Sequence, residues 1–208
     1  MGIVSDSAPN MKRAVKLFDD DEIIKLPCAA HTLNSCVKDL VKEVTITYSK
    51  GKHYIFDFNQ DGNRRKIEVN DQDISDIEAM NEIKSVINSV IKKCRCLVSK
   101  FHMSEPLNRH LKEEQVELGL SPKKLVQEVI TRWNSTYDMI FSVVENHAPL
   151  SAVSLLNDDS TRAIRPFILK PDDLKLMQEF CVLLEPLKAI TVLLSGSNYV
   201  TITHLFPA

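Results

Sequence analysis

Apolar residues with heptad spacing dominate the middle of the chain. They recur at intervals of three and four residues: Met80, Ile83, Ile87, Val90, Cys94, Leu97 and Phe101. This spacing is typical of an α-helix that presents one apolar seam to a partner helix. A second helix in the same chain, kinked at Pro186, is the predicted internal partner; its apolar residues are Leu174, Met177, Cys181, Leu184, Leu187, Ile190 and Leu194. A second copy of the chain is the alternative partner, which would make a homo-oligomer.

The composition favours a mainly helical protein. Of 208 residues, 44% are hydrophobic, which supports a packed core. Only five residues are glycines, which are few for an α/β enzyme with many tight turns. Besides the heptad helix, the sequence predicts a helix from about Thr32, a helix from Pro106 to Glu117 that ends near Gly119, a helix that Pro149 interrupts after Trp133, and a polar loop over 157–165.

Residues 45–70 follow a different pattern. Apolar side chains such as Tyr54 and Phe56 alternate with polar ones, and Lys50-Gly51 and Asp61-Gly62 are turn signals. The segment is therefore predicted to be either a β-hairpin or a loosely ordered insert.

Two segments near the start carry side chains that can ligate a metal. Ile3 and Val4 predict a strand that ends at Asp6 and is too short to pair. A carboxylate at a strand end can bind Mg²⁺, although an isolated Asp is more typical of a helix cap. The spacing of Cys28 and His31 can place two metal ligands side by side; alternatively, Cys28 is buried and His31 caps a helix.

A net charge of −2 gives the whole chain no electrostatic attraction to nucleic acid, so only a local patch could supply it. Basic residues are concentrated between positions 92 and 132: Lys92, Lys93, Arg95, Lys100, Arg109, Lys112, Lys123, Lys124 and Arg132. On one side of the fold they would form a phosphate-binding patch. The alternative is a solvated helix face without a ligand.

Arg132 and the only tryptophan, Trp133, lie where an apolar segment meets a helix. Asn134, Ser135 and Thr136 follow and are typical N-cap residues. A lone Trp is most often a buried anchor, but Trp and Arg are also the side chains that stack on nucleic-acid bases.

Three segments in order resemble the hAT transposase family, which includes the host-derived BED zinc-finger domain-containing proteins. They are Ile3-Val4-Ser5-Asp6, then Leu26-Pro27-Cys28-Ala29-Ala30-His31, and then Thr131-Arg132-Trp133-Asn134-Ser135. The resemblance implies an RNase H-like catalytic core interrupted by a helical insertion domain. Residues 1–31 would then be part of the core, 32–195 the insertion domain with a variable insert at 45–70, and 196–208 the start of the return to the core.

The resemblance also implies roles for individual residues. Asp6 matches the second of three metal-binding acids, and Cys28 and His31 match a motif near the active site. Arg132 and Trp133 match an Arg-Trp motif whose Trp stacks on a flipped base. Full-length members use Mg²⁺. In this chain the first acid would lie upstream of Met1 and the third beyond Ala208, so the sequence predicts a transposase-derived fragment that is not an enzyme and needs no cofactor.

Residual DNA binding is the function predicted for this fragment, through Arg132, Trp133, Lys92, Lys93 and Arg95. Two alternatives stay open: a protein-interaction or self-association module built on the heptad helix, and an incomplete copy of an active DNA transposase. The family implies a nuclear location. The sequence contains no stretch of 18 apolar residues, so no membrane span is predicted. No motif predicts a small-molecule substrate.

Overall fold

The computed structural model describes residues 2–5, 24–27, 29–58 and 64–194; for 2–5, 24–27, 29–31, 58 and 194 the description covers the backbone alone. Its elements are, in order, β1 (Gly2–Ser5), β2 (Ile24–Pro27), α1 (Ala29–Val41), β3 (Thr47–Ser49), β4 (Lys52–Phe58), β5 (Arg64–Val69), α2 (Asp71–Met103), α3 (Glu105–Glu117), α4 (Trp133–Glu145), α5 (His147–Leu155), α6 (Asp159–Arg162), a 3-10 turn (Arg165–Phe167) and α7 (Pro171–Leu194). The mainly helical prediction is confirmed. None of the described helices is long and apolar enough to cross a membrane.

The strands β1 and β2 run parallel, with Gly2 opposite Ile24 and Ser5 opposite Pro27. The prediction that the first strand is too short to pair is therefore wrong. A strand of four residues can form a ladder once a second strand of equal length runs beside it. The RNase H-like core and the domain boundaries stay predictions.

The strands β3, β4 and β5 form an antiparallel sheet in that order. Ser49 pairs with Lys52, which leaves a two-residue turn at Lys50 and Gly51. Both turn residues have positive φ, 53° and 77°, as a type I′ hairpin turn requires. The hairpin prediction for this segment is confirmed, with a third strand added, while the turn signal at Asp61-Gly62 lies outside the described residues.

Local hydrogen bonds fix both ends of α2. At its start, the Asn70 side chain accepts from the Asp73 backbone N–H at 2.9 Å, and the Asp73 carboxylate accepts from the Asn70 N–H at 3.0 Å. This reciprocal capping box satisfies two N–H groups that would otherwise lack partners. At the other end, Ser104 is the N-cap of α3, with Pro106 in the first turn of that helix.

The C-terminal half of α2 lies at the centre of the helical core. Its heptad residues Val90, Cys94, Leu97 and Phe101 are all buried. They belong to one apolar cluster with residues from α1, α3, α4, α5 and α7, among them Val37, Leu111, Ile140, Leu150 and Met177. Several helices therefore cover this seam, and it is not the two-helix coiled coil that the heptad pattern predicts.

The N-terminal half of α2 departs from the prediction more strongly. The first heptad residues, Met80 and Ile83, are exposed. The residues that face the rest of the fold here are Asn81, Lys84 and Asn88. The prediction that the apolar seam continues inward as far as Met80 is wrong, because a polar contact to the end of α1 occupies that position.

This polar contact closes the C-terminal end of α1. The Asn88 amide donates to the Val41 carbonyl at 2.8 Å, and the Lys84 ammonium donates to the Lys42 carbonyl at 2.9 Å. The Asn81 side chain both donates to the Val44 carbonyl and accepts from the Val44 N–H, at 2.8 Å each. Carbonyl groups at a helix C-terminus lack helical partners, and a cation is favourable there, so these three side chains act as a tertiary cap.

The helix α7 packs chiefly on α4. Its predicted seam is buried at Met177, Cys181 and Leu184, whereas Ile190 near its end is exposed. The Lys188 ammonium lies 2.5 Å from the Asp138 carboxylate. The helix continues through Pro186 to Leu194.

Two local predictions need correction. The segment 157–165 is more ordered than a loop, because the Asp158 side chain caps the short helix α6 by accepting from the Ser160 N–H at 2.9 Å. Asn134, Ser135 and Thr136 do not precede α4 but lie in its first turn, and Arg132 is the N-cap residue, without a side-chain hydrogen bond. The break before Pro149 is confirmed, since α4 ends at Glu145 and Pro149 lies in the first turn of α5.

Candidate nucleic-acid interface

The two residues of the Arg-Trp motif have different environments. Arg132 is exposed, whereas the Trp133 side chain is only 4% exposed and belongs to the core cluster. Among the described residues no hydrogen-bond partner meets the Trp133 indole N–H. The structure thus places the Trp133 ring where a buried anchor would be, and stacking on a base would require the ring to leave the core.

The start of α4 is held by α1. The Asn34 side chain accepts a hydrogen bond from the Trp133 backbone N–H at 3.1 Å, and the Lys38 ammonium donates to the Thr131 carbonyl at 2.9 Å. Asn34 thereby satisfies one of the N–H groups left open at the start of a helix. The helix that follows Cys28 and includes His31 is therefore connected directly to the Arg-Trp motif.

An irregular segment, residues 118–132, leads from α3 to this motif. It begins with a Schellman motif, in which Gly119 has φ of 72° and the Leu120 N–H donates to the Gln115 carbonyl at 2.7 Å. The predicted end of α3 near Gly119 is thereby confirmed. Further along, the Val126 N–H donates to the Ser142 hydroxyl at 3.1 Å and the Val129 N–H to the Ser135 hydroxyl at 2.8 Å. Side chains of α4 therefore replace the missing ladder partners of this segment.

Gln115 fixes the middle of this connection. Its amide is buried, donates to the Lys123 carbonyl at 2.9 Å and to the Asn146 side chain at 2.6 Å, and accepts from the Lys123 N–H at 3.1 Å. Gln115 is a functional residue that the sequence patterns did not predict. The available signal was its position on the apolar face of α3, four residues after Leu111.

Arg95 is occupied by an internal partner. Its guanidinium forms a two-pronged ion pair with Glu128, whose side chain is 6% exposed and also accepts from the Thr136 hydroxyl at 2.5 Å. Burial acts to raise the pKa of the Glu128 carboxyl, but the hydrogen bonds from Arg95 and Thr136 outweigh it and hold that pKa below its ordinary value. Arg95 therefore fixes the irregular segment to α2, and a phosphate would have to compete with the Glu128 carboxylate for it.

Lys93, like Arg95, has an internal partner, whereas its neighbour Lys92 is exposed. The Lys93 ammonium lies 2.7 Å from the Asp173 carboxylate at the start of α7. Burial acts to raise the pKa of Asp173, and hydrogen bonds from Lys93 and the Lys170 N–H lower it further than burial raises it. Lys92 is exposed. Of the three α2 cations predicted to contact DNA, two are thus engaged within the fold.

Four other cations gather around one cleft. Arg109 and Lys112 of α3 face Lys123 and Lys124 of the irregular segment across a cleft of about 460 Å³, and all four side chains are exposed. We call this set the basic cleft. Glu105 is the one acidic residue in its lining. These residues belong to the wider basic region that the sequence predicts. Their convergence depends on the hydrogen bonds between Gln115 and the Lys123 backbone, which no local pattern in the sequence indicates.

The predicted metal ligands Asp6, Cys28 and His31 belong to the N-terminal part of the chain. Asp6 and Cys28 lie outside the described residues, and for His31 only its place in α1 is described. Among the side chains that the structure describes, no three His, Cys, Asp or Glu form a metal-binding cluster. No position for Mg²⁺ is therefore assigned.

The comparison with protein families gives one match. A family model described as ZBED1 RNase-like helical domain matches residues 26–182. These residues begin in β2 and end in α7. No significant match to a curated protein or to a solved structure was found.

Proposed function

The chain belongs to the ZBED1 RNase-like helical domain family, which is derived from transposases, and from this premise we propose that the basic cleft binds the phosphate backbone of DNA. The convergence of Arg109, Lys112, Lys123 and Lys124 on one cleft carries the proposal. In a chain with a net charge of −2, such a cluster creates the local positive potential that a polyanion needs.

The proposed contact is electrostatic and independent of sequence. Lys and Arg side chains that reach phosphates position a protein on DNA without distinguishing bases. Three to four phosphate contacts would make the logarithm of the binding constant fall with the logarithm of salt concentration at a slope of roughly −3 to −4. Arg132 is exposed at the end of the same irregular segment and is the member of the Arg-Trp motif proposed to add a contact; Trp133 holds the segment in place.

A charge-reversal variant tests this proposal. Lys112→Glu combined with Lys123→Glu should weaken binding of a labelled duplex at least about tenfold at low salt and flatten the salt slope by about two, as measured by fluorescence anisotropy. Both side chains are exposed, so the circular dichroism spectrum and melting temperature should stay unchanged. Lys175→Glu is the matched control, because Lys175 is an exposed cation on α7 whose ion-pair partner among the described residues is Glu179. Equal binding by the double variant and the control would contradict the proposal.

We propose that the 208-residue chain by itself binds DNA without cleaving it. The measurement is incubation of the purified chain with supercoiled plasmid and Mg²⁺. Metal-dependent nicking that is lost in Asp6→Asn would overturn this statement and would favour an active transposase. The transposase-derived family suggests a nuclear location, and imaging of a tagged chain would test that proposal.

Self-association is the second candidate function. The N-terminal half of α2 exposes Met80, Ile83 and Val86 on its surface, and exposed apolar stripes mark interaction sites. A second copy of the chain bound there should give an apparent mass in light scattering that rises with concentration and falls in Ile83→Glu. A constant monomer mass at all concentrations would exclude this role.

A further inference from the structure

The three-stranded sheet has one face that combines aromatic and basic side chains. Along β4, Tyr54 and Phe56 point to the same side, because alternate residues of a strand share a face. Cross-strand pairing places Lys66 of β5 opposite Phe56 and Glu68 opposite Tyr54, so these residues lie on that side too. We call this side the aromatic face; it also includes Lys52 and Arg64.

Both rings that the structure describes on this face, Tyr54 and Phe56, carry a cation. The Lys66 ammonium lies 3.4 Å from the centroid of the Tyr54 ring, and the Arg64 guanidinium carbon lies 3.7 Å from the centroid of Phe56. Both rings are half-buried and lie on the central strand of the sheet. The aromatic face therefore presents ring planes and positive charges at alternating positions.

The opposite face has a different character. It carries Ile55 opposite Ile67, and Val69, which is buried, opposite His53. Tyr48 lies on this face at one edge, 68% exposed, with its ring centroid 4.9 Å from that of His53. Val69 is the one buried side chain among the described residues of this sheet, and it lies on the opposite face.

We propose that the aromatic face binds single-stranded nucleic acid. A base would displace Lys66 from the face of Tyr54 and another would displace Arg64 from the face of Phe56, and the two displaced cations, together with Lys52, would contact the phosphates. Stacking on aromatic side chains next to a basic track is the general mode by which proteins bind single strands without reading sequence.

The spacing of the rings favours a single strand over a duplex. Residues two apart on a strand are separated by about 6.8 Å, twice the 3.4 Å rise between stacked bases of a duplex strand. One base can therefore lie on each ring only if the nucleic-acid strand is stretched and its bases are unstacked. A duplex cannot offer its base faces to a sheet in this way.

Charge complementarity identifies the occupant as a polyanion. The described strands and their turn, 47–58 and 64–69, carry five cations against the two acids Asp57 and Glu68, although the whole chain has a net charge of −2. One acid is already matched, since the Lys52 ammonium lies 2.7 Å from Glu68 and both side chains are more than half exposed. Such an exposed pair is weak enough for a phosphate to compete for the lysine.

The acidic residues nearby limit where the strand can run. A cleft of about 500 Å³ between the sheet and the end of α1 is lined by Phe56 and Arg64 but also by Asp39, Glu43 and Asp57. These carboxylates repel a phosphate backbone. The nucleic-acid strand should therefore pass over Lys52 and Tyr54 and end at Phe56 and Arg64, which line this cleft, without running on into it.

Binding of a labelled oligothymidylate to the full 208-residue chain tests the proposal. Tyr54→Ala combined with Phe56→Ala should weaken binding by about ten- to hundred-fold in fluorescence anisotropy. Because these rings are half-buried, Tyr54→Leu with Phe56→Leu is the second variant; it keeps apolar bulk and removes the ring faces, and it should lose binding to a similar degree. Tyr54→Phe with Phe56→Tyr should bind like the original chain.

Tyr48→Ala is the matched control, because it removes an exposed aromatic ring from the opposite face of the same sheet. Loss of binding in Tyr48→Ala equal to that of the double variant would overturn the proposal. Unchanged binding by the leucine variant together with a loss in Lys66→Glu would show attraction by charge alone and would also overturn it.

The proposal stands apart from the basic cleft, since the two surfaces share no residue. Lys112→Glu with Lys123→Glu should reduce duplex binding and leave oligothymidylate binding at the aromatic face, so either proposal can fail without the other.

Discussion

The two halves of α2 carry the same apolar repeat and have opposite environments. From Val90 onward the heptad residues are buried beneath other helices. Ile83, seven residues before Val90, and Met80, fourteen residues before Cys94, occupy the equivalent heptad positions and are exposed. The side of the helix that faces the fold here is polar, and Asn81, Lys84 and Asn88 close the end of α1.

The comparison shows that an apolar repeat indicates a helix more reliably than it indicates which face is buried. Burial depends on what packs against each turn. The C-terminal half is covered by apolar helices, whereas the N-terminal half meets the open carbonyl groups at the end of α1. To leave those carbonyl groups buried without a hydrogen bond would cost more free energy than the burial of Met80 and Ile83 would contribute.

Among the substitutions that test this comparison, truncation of a core side chain should have the largest effect on the free energy of unfolding. Leu97 is 0% exposed, so Leu97→Ala should lower the free energy of unfolding by about 2–5 kcal/mol, because a cavity remains at the centre of the cluster. Ile83→Ala at the matched position is 62% exposed and should change stability by less than about 0.5 kcal/mol. Urea unfolding followed by circular dichroism measures both. A cost above about 2 kcal/mol for Ile83→Ala would show that the N-terminal half is covered in solution.

Removal of the polar cap should have an intermediate effect. Asn81→Ala leaves both the N–H and the carbonyl of Val44 without their partner, which should cost about 1–3 kcal/mol. The substitution also raises helix propensity, so the exposed neighbour Ser85→Ala serves as the control for that gain. Hydrogen exchange of the Val44 amide should rise in Asn81→Ala alone. Protection that stays the same would contradict the role of Asn81 as a cap.

The smallest effect is the loss of stability at acidic pH that comes from the Arg95–Glu128 pair. Arg95 lies on the exposed side of the C-terminal half of α2. The folded-state pKa of Glu128 lies below its ordinary value of 4.5. The pair therefore contributes stability that is present above about pH 4.5 and is lost as the pH falls through the lower folded-state value. Since Arg95 is half exposed, the contribution should be roughly 1 kcal/mol or less. Urea unfolding at pH 7 and at acidic pH should show a smaller loss in Glu128→Gln than in the original chain. An equal loss in both would mean that other carboxylates account for the acid response.

Much of the fold could be predicted from the sequence where a few neighbouring residues decide the structure. The Lys50-Gly51 turn, the end of α3 at Gly119 and the existence of the long heptad helix all follow from local signals, and each is confirmed. The family resemblance drawn from short motifs agrees with the transposase-derived family that matches most of the chain. The strand pairing of β1 with β2 was missed because its two partners are far apart in sequence.

The candidate site was predictable only in part. The sequence identified a basic region, but it selected Lys93 and Arg95, which Asp173 and Glu128 engage from positions 80 and 33 residues away. The convergence of Arg109, Lys112, Lys123 and Lys124 depends on the buried contact of Gln115 with the Lys123 backbone. No local pattern encodes such a contact.

The sequence by itself determined the long helices, the Lys50-Gly51 turn, the end of α3 at Gly119 and the family, because local turn signals, side-chain periodicity and short motifs are sufficient for each. Only the tertiary structure decided which half of α2 is buried, that Trp133 lies in the core, and which cations remain exposed. The physical reason is that desolvation and ion pairing depend on groups that the fold brings together from distant positions. A lysine beside a carboxylate and a lysine beside open solvent read identically in the sequence, and they differ only once the chain has folded.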